Sequence, residues 1–306
     1  MAKQHPDFMI WLGDNTYLRE ADWGSRTGIY HRYTHTRSIK EMQPLLASVH
    51  HYAIWDDHDY GPNDSDRSFW NKNETFNAFK LFWANPTYGV GETEGAFTFF
   101  NWSDCDFYLL DNRYYRSPDK RFEKNKTQLG KKQLEWLKDA IVSSRATFKF
   151  IVMGGQFLTT SGAYEMYSNQ GFAQERADII EFIHVNRIKN VIFVTGDRHH
   201  SEISVLKRLD MPTIYDITVS PFTSRAAGIT EGETNPYRIK GTLINKKNFA
   251  NFNIKGKKRE RVLNITFYDT FGKKIFDYKI KAEAYKKKKK KYDKNRKSKK
   301  DNKLKK

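Results

Sequence analysis

The sequence lacks several features that would narrow its class. It contains a single cysteine, Cys105, which excludes an internal disulfide. No apolar run reaches the roughly 18 residues that a membrane-spanning helix needs. The first residues, MAKQHPD, contain no apolar signal-peptide core. None of these absences indicates a particular cellular compartment. Cys105 lies in an apolar and aromatic segment. We expect it to be a small buried side chain and not a nucleophile.

Acidic residues are also few, with 36 Asp and Glu against 54 Lys and Arg, a net charge of +18. Residues 286–306 hold 14 Lys and Arg and 2 Asp, so this short segment carries +12 and the rest of the chain +6. Such a segment is typical of a solvated tail, and we predict disorder over residues 284–306. The body is not basic enough to indicate a specific nucleic-acid-binding face. Weak contact of the tail with anionic lipid or nucleic acid remains open.

Short apolar runs alternate with helical periodicities in the first two thirds of the chain, and strand-like runs dominate afterwards. Strands are predicted over residues 8–12, 49–55, 96–102, 107–110, 148–153, 191–195, 203–206, 214–219, 249–254, 262–268 and 275–280. Helices are predicted over residues 31–46, 73–83, 127–142 and 173–187. Turns are expected at residues 103–104 and 269–272, each closing a hairpin. The pattern predicts one α/β domain over residues 1–283, β-rich in its last third.

Acidic residues follow four of the predicted strands directly. Asp14, Asp57, Asp111 and Asp197 lie within three residues of the end of an apolar run, and two of them have histidine close by. In an α/β sheet, ligands bind beyond the carboxyl ends of the strands. Each Asp alone could be a turn residue or a helix N-cap. Clustered carboxylates raise one another's pKa and oppose folding unless a cation compensates them, so the four together predict a metal centre.

Four segments occur in order along the chain: PDFMIWLGDNTY, WDDHDYG followed by ND, LDNRYYR and GDRHHSE. With this order and spacing, the chain resembles the alkaline phosphatase D (PhoD-like) family of metallophosphatases over nearly all residues before the tail. The resemblance implies a metallophosphatase-type sandwich of two β-sheets flanked by helices, an α/β/β/α arrangement. It also implies hydrolysis of phosphate monoesters or diesters by a water ionised on two or three bound metal ions.

The resemblance also assigns roles to individual residues. His58 is the expected catalytic group facing the leaving group or the phosphate. Arg113 is expected to bind the phosphate and to assist catalysis, since its planar guanidinium suits phosphate oxygens. Asn15 either contacts the phosphate or supports its own turn. The implied metal ligands are Asp14, which would bridge two ions, Tyr17, Asp57, Asp197, His199 and, as a loose match, Gln156.

The implied ligands favour particular metals. Asp57 and Asp197 stand where related enzymes use nitrogen ligands, and oxygen-rich sites suit calcium, magnesium or manganese. Tyr17 with His199 suits a ferric-type ion. We therefore expect a mixed centre that combines an iron-like ion with calcium, or with magnesium or manganese in its place.

Members of the family begin with a strand that carries a further metal ligand, and they are often exported. Here Met1 falls after the expected position of that strand, so we expect an incomplete N-terminus with the first strand missing.

The sequence leaves three hypotheses for the function: a metal-dependent phosphatase or phosphodiesterase acting on small phosphate esters, an inactive truncated remnant that binds metal or phosphate without turnover, and a basic protein associated with nucleic acid or membranes through its tail. The sequence does not select an oligomeric state.

Overall fold

The structure is a computed structural model of the 306-residue chain, and it describes residues 1–161, 167–168, 171–229, 234–258 and 260–284. Disorder is predicted for residues 284–306, and all of these except Ala284 lie outside the described residues. Within the described part, no helix has both the length and the apolar character required to cross a membrane.

The helices and strands alternate along the chain and are numbered in order. The α-helices are α1 (Glu20–Trp23), α2 (Arg26–Arg37), α3 (Gln43–Leu46), α4 (Asp57–Tyr60), α5 (Lys72–Phe82), α6 (Lys131–Ser143) and α7 (Ala173–Val185). The strands are β1 (Phe8–Leu12), β2 (His50–Ile54), β3 (Thr98–Trp102), β4 (Cys105–Leu109), β5 (Phe148–Met153), β6 (Val191–Thr195), β7 (Glu202–Leu206), β8 (Ile214–Thr218), β9 (Asn248–Lys255), β10 (Val262–Asp269) and β11 (Lys274–Lys281).

The largest sheet has six strands in the order β3-β4-β5-β6-β8-β7. Strands β4, β5, β6 and β8 run parallel, and β3 and β7 pair antiparallel at the two edges. Every residue of β4, β5 and β6 is buried, as expected for parallel strands covered on both faces. Leu137 of α6 and Ile179 and Ile183 of α7 pack on one face of this sheet.

The opposite face of the six-stranded sheet is covered by a second β layer. This layer consists of the parallel pair β1-β2 and the antiparallel sheet β9-β10-β11. Ile54, Leu263 and Ile265 of this layer pack in one core with Phe150 and Val152 of β5. Helices α2 and α5 cover the outer face of β1-β2. The predicted α/β/β/α arrangement is therefore confirmed, with the second layer divided into two sheets instead of one.

The predicted strands are confirmed to within two residues at each end, and both predicted hairpin turns are present. The predicted helix over residues 31–46 is wrong in extent. Helix α2 begins earlier, after Ser25, whose hydroxyl accepts the Gly28 amide at 3.0 Å. It ends at Arg37, and a 3₁₀ turn and the short α3 follow. Pro44, which lacks an amide hydrogen, is compatible with the first turn of α3 but not with the interior of one long helix.

Candidate metal centre

The carboxyl ends of β1 and β2 bring three of the predicted site residues into contact. Asp14 follows β1, and Asp57 and His58 begin α4 just after β2. One ligand atom from each of these three residues lies within 4.8 Å of the other two. The His58 backbone amide also donates to Asp14 Oδ1 at 3.3 Å. Because β1 and β2 are parallel neighbours, their carboxyl ends meet at the same edge, as the sequence predicted.

The end of β6 contributes to the same place. The Tyr17 hydroxyl lies 3.4 Å from Asp14 Oδ2 and 3.4 Å from His199 Nε2. Asp197 and His199 line the same cavity as Asp14 and Tyr17. The Ser224 hydroxyl is 3.2 Å from His199 Nε2. The predicted ligands from the two β layers therefore converge on one cavity, and Ser224 is a neighbour that the sequence did not indicate.

Three of the predicted ligands share an unusual backbone conformation. The φ angles of Asp14, Asp197 and His199 are +50°, +64° and +52°. Non-glycine residues rarely adopt this left-handed conformation, and each instance costs of the order of 1–3 kcal/mol. Such residues persist only where their surroundings hold them, and they concentrate at functional sites.

Asp59 connects the two loops that carry Asp14 and Asp57. Its fully buried carboxylate accepts backbone amides of Asn15 at 3.2 Å and Thr16 at 3.0 Å, both in the loop after β1. It also accepts the Asp56 amide at 3.2 Å, in the loop after β2. Sequence reasoning did not assign Asp59 a role, although it is the last acid of the WDDHD segment. Its three backbone contacts indicate that it positions both loops.

Gly13 allows these loops to approach each other closely. Its φ is +89°, and a Cβ atom at this position would lie 2.7 Å from the Asp56 Cβ. A larger residue would therefore clash with the loop after β2 and would also be strained in its backbone.

Arg113 lies behind the acids and is not free in the cavity. Its side chain is only 2% exposed, and Nε forms an ion pair with Asp56 Oδ1. Nη2 lies 3.8 Å from Asp57 Oδ1, and Nη1 donates to the Ser65 carbonyl at 3.4 Å. Asp57 also accepts the Asp64 amide at 2.8 Å. This burial favours a role for Arg113 in positioning Asp57 over the direct phosphate contact expected from the sequence.

Asn15 and Gln156 use their side chains in other contacts. The Asn15 amide nitrogen donates to the Ile54 carbonyl at 2.8 Å, so of its two expected roles the geometry favours support of the turn. The Gln156 amide nitrogen donates to Glu202 Oε1 at 2.7 Å and to Thr218 Oγ1 at 2.8 Å. Gln156 is not among the residues that line the cavity with Asp14. A buried polar network on β7 and β8 holds its amide, and no described contact brings it to the ligand cluster.

Two further strand-end residues are structural. The Asp111 carboxylate accepts the Trp55 indole N–H at 2.8 Å and the Ala96 amide at 2.8 Å, away from the cluster. His200 places Nδ1 3.0 Å from the Arg198 carbonyl and Nε2 3.6 Å from Glu202 Oε2. Of the four strand-end acids in the sequence, Asp111 therefore stands apart from the other three.

The electrostatics of the cluster favour a bound cation. The pKa of Asp14 is raised well above its usual range, first by burial and then by the neighbouring carboxylate of Asp57. Burial also raises the pKa of Asp59 to about 7, against the opposing effect of its backbone hydrogen bonds. The pKa of His199 is lowered by burial and by His58, which favours the neutral ring that ligates metals. Carboxylate, phenol and imidazole donors that converge in this way fit a metal centre.

The raised pKa of Asp59 predicts how the stability of the metal-free protein depends on pH. In the unfolded chain this carboxyl ionises near 3.8, and in the folded protein it ionises at about 7. The folded state therefore retains a proton that the unfolded state has lost, and stability should fall as the pH rises through this interval. We expect urea unfolding in EDTA to give a lower free energy at about pH 8 than at about pH 5, and added Mn²⁺ or Ca²⁺ to reduce the difference.

The Asp59→Asn variant should show a weaker pH dependence of this free energy. Replacement of the exposed Asp210 by asparagine is the matched control and should leave the dependence unchanged. A metal-free protein whose free energy of unfolding rises across this interval would contradict the prediction.

Comparison with known proteins is consistent with this geometry. The solved structure of PhoD superposes with a TM-score of 0.69 at 18% identity, covering 93% of this chain and 68% of that one. The purple acid phosphatase PPD1 from yellow lupin (Lupinus luteus) seeds superposes with a TM-score of 0.64 at 12% identity, covering 92% and 48%. These similarities show a metallophosphatase-like fold.

Sequence comparison gives the family. Alkaline phosphatase D of Bacillus subtilis (strain 168) is 25% identical over 255 residues, 67% of this chain and 43% of that protein. The chain thus spans less than half the length of this curated relative. The family model described as PhoD-like phosphatase matches residues 1–264. Because this match covers most of the chain, the protein belongs to the PhoD-like phosphatase family.

Proposed function

We propose that this protein hydrolyses phosphate esters in a metal-dependent reaction. The observation that carries the proposal is the convergence of Asp14, Asp57 and His58 within 4.8 Å at the ends of two parallel strands. Tyr17 and His199 extend this cluster on the side of β6. Membership of the PhoD-like phosphatase family and the fold shared with a purple acid phosphatase support the same chemistry.

The residues proposed to hold the ions are the five ligands that contact or line the cavity: Asp14, Tyr17, Asp57, Asp197 and His199. Ions held by these residues would make a water molecule easier to ionise at neutral pH and would offset negative charge on the phosphoryl group. The carboxylates suit calcium, magnesium or manganese, and the phenol and imidazole suit an iron-like ion. The proposed centre therefore combines an iron-like ion with calcium, or with magnesium or manganese in its place.

The protein's own groups have separate tasks in this scheme. His58, whose ring centroid lies 4.5 Å from that of Tyr17, is placed to give a proton to the leaving oxygen or to polarise the phosphate. Arg113 balances the charge of Asp56 and Asp57 and thereby fixes the direction of the Asp57 carboxylate. Asp59 sets the separation of the two loops through its backbone contacts.

The substrate class in the proposal is a small phosphate monoester or diester. The test is hydrolysis of p-nitrophenyl phosphate and bis-p-nitrophenyl phosphate by the purified protein with added calcium, iron or manganese. Turnover should require metal and should fall by about 10³-fold or more in the double variant Asp14→Asn with Asp57→Asn, because preorganised charge at the reacting group is lost. The Asp210→Asn variant, which changes one exposed acid, should retain full turnover.

Other outcomes of this assay select between hypotheses. Absence of turnover together with metal uptake that the double variant abolishes would identify a protein that binds metal without hydrolysis. Turnover that the double variant retains would exclude the proposed centre.

A further inference from the structure

The pole of the molecule opposite the metal centre is formed by segments from three parts of the chain. Strands β6 and β8 run parallel, and the residues that follow them line the cavity of the metal centre. The segments that precede these two strands therefore lie at the other pole. We name this pole the distal surface and define it by three segments: residues 185–189 at the end of α7, residues 207–213 between β7 and β8, and residues 281–284 at the end of β11.

Hydrogen bonds join the three segments of the distal surface. Arg187 Nη1 donates to the Asp210 carbonyl at 2.9 Å, which joins the end of α7 to the turn between β7 and β8. The Thr213 amide donates to Glu283 Oε1 at 3.2 Å, which joins the same turn to the end of β11. The distal surface is therefore one continuous face and not three separate loops.

Three apolar side chains of the distal surface are exposed to solvent. Leu209 is 91% exposed, Val185 66% and Met211 41%. Leu209 and Met211 lie on either side of Asp210, whose φ of +56° turns the chain back toward β8. Single exposed apolar residues are common in soluble proteins, but a group of them held together among polar residues marks a contact site.

The distal surface is also basic. Its three segments contain five basic residues and two acidic ones, a net charge of +3. One of the two acids is paired, since Glu283 Oε2 lies 3.9 Å from Lys189 Nζ. The sequence continues from this surface into residues 286–306, which hold 14 Lys and Arg and 2 Asp. The exposed apolar side chains therefore lie among positive charges, in a part of the chain that leads into its most basic segment.

We infer that the distal surface docks on a lipid bilayer that contains anionic phospholipids. Leu209, Met211 and Val185 enter the boundary between the headgroups and the acyl chains, and the surrounding Lys and Arg side chains contact the anionic headgroups. The apolar side chains favour a bilayer over nucleic acid. A nucleic-acid backbone attracts the same positive charges, but it offers no apolar layer for aliphatic side chains to enter.

Docking in this orientation keeps the metal centre away from the bilayer. The cavity that Asp14 and Asp197 line lies at the carboxyl ends of the strands, whereas the distal surface lies at the amino ends of β6 and β8. A docked protein therefore leaves its cavity open to solution. The inference does not rest on phosphate ester hydrolysis, because it concerns the opposite pole and lipid binding alone.

The test is sedimentation of the full chain with vesicles of phosphatidylcholine and phosphatidylserine in equal parts, compared with vesicles of phosphatidylcholine alone. We expect the apparent dissociation constant to be at least about tenfold lower with the anionic vesicles and to rise with added salt. The double variant Leu209→Ser with Met211→Ser should raise this constant by about tenfold or more, because two aliphatic side chains no longer leave water. Val185→Ser changes α7 and not the turn, and it should weaken binding in the same direction.

Phe271→Ser is the matched control for these variants. Phe271 is 95% exposed and lies in the turn between β10 and β11. Because β11 ends at the distal surface, the turn before it lies at the other pole of the molecule. Replacement of Phe271 removes an exposed apolar side chain of similar kind and should leave vesicle binding unchanged. Circular dichroism shows whether each variant is folded.

Three outcomes would overturn the inference. The first is that the wild type binds anionic vesicles no better than vesicles of phosphatidylcholine alone. The second is that the Leu209 and Met211 double variant and the Val185 variant bind anionic vesicles as tightly as the wild type, which would assign the adhesion to charge alone. The third is tighter binding to double-stranded DNA than to anionic vesicles, unchanged in the double variant, which would assign the positive charges to nucleic acid.

Discussion

Replacement of Arg113 by methionine is expected to lower the free energy of unfolding by about 3–5 kcal/mol. The guanidinium is 2% exposed and pairs with the buried Asp56 carboxylate, with Asp57 3.8 Å away. Methionine preserves much of the side-chain volume but removes the positive charge that pairs with the buried Asp56 carboxylate. The Asn112 amide, which donates to Asp56 Oδ1 at 2.9 Å, is neutral and compensates only in part. Urea unfolding of metal-free protein at one pH measures the change.

A matched surface pair provides the control for this prediction. Arg121 is 58% exposed and pairs with Glu123 at 3.0 Å. Arg121→Met should lower the free energy of unfolding by no more than about 1 kcal/mol, since solvent screens exposed pairs. Combining Arg113→Met with Asp56→Asn should recover part of the loss, because the buried negative charge is removed together with the positive one. A loss below about 1 kcal/mol for Arg113→Met alone would show that Arg113 does not compensate the buried acids.

Replacement of His58 by asparagine is expected to reduce kcat for p-nitrophenyl phosphate by about 10²–10⁴-fold, the range for loss of a general acid or base. The His58 side chain lies against Tyr17 and within reach of the Asp14 and Asp57 carboxylates. The metal content of the purified variant should equal that of the wild type.

Metal analysis of the His58→Asn variant distinguishes a proton donor from a metal ligand. His31→Asn, an exposed substitution on α2, is the matched control and should leave kcat unchanged. A loss of metal from His58→Asn in proportion to its loss of turnover would make His58 a ligand and would contradict its assignment as proton donor. Unchanged kcat would exclude both roles.

The strands and most helices could be predicted because their signals are local. The apolar runs of β1, β5 and β6 match the observed strands at both ends, since a buried parallel strand needs an apolar residue at every position. The prediction of one helix over residues 31–46 failed because α2 ends at Arg37, and Pro44 lies in the first turn of a separate helix, α3. The acids after β1, β2 and β6 could be found because parallel strands place their carboxyl ends at one edge.

Contacts between residues distant in sequence decided what each polar side chain does. Gln156 follows β5 much as Asp14 follows β1, yet its amide is held by Glu202 and Thr218. Arg113 follows a strand end in a motif suited to phosphate, but Asp56, 57 positions earlier, holds its guanidinium in the interior. The hydrogen-bond partners of Gln156 and Arg113 could not be inferred from sequence spacing. A buried polar side chain pairs with whichever polar group the fold places beside it.

The sequence by itself determined the order of the strands along the chain, the apolar character of the core and the positions of the acids that follow β1, β2 and β6. These depend on periodicity and on which residue types can be buried. Only the tertiary structure decided that the Asp59 carboxylate joins two loops and that Asp14, Asp197 and His199 adopt left-handed backbone conformations. The physical reason is that backbone strain and hydrogen bonds between distant segments depend on neighbours brought together by folding, which no local pattern specifies.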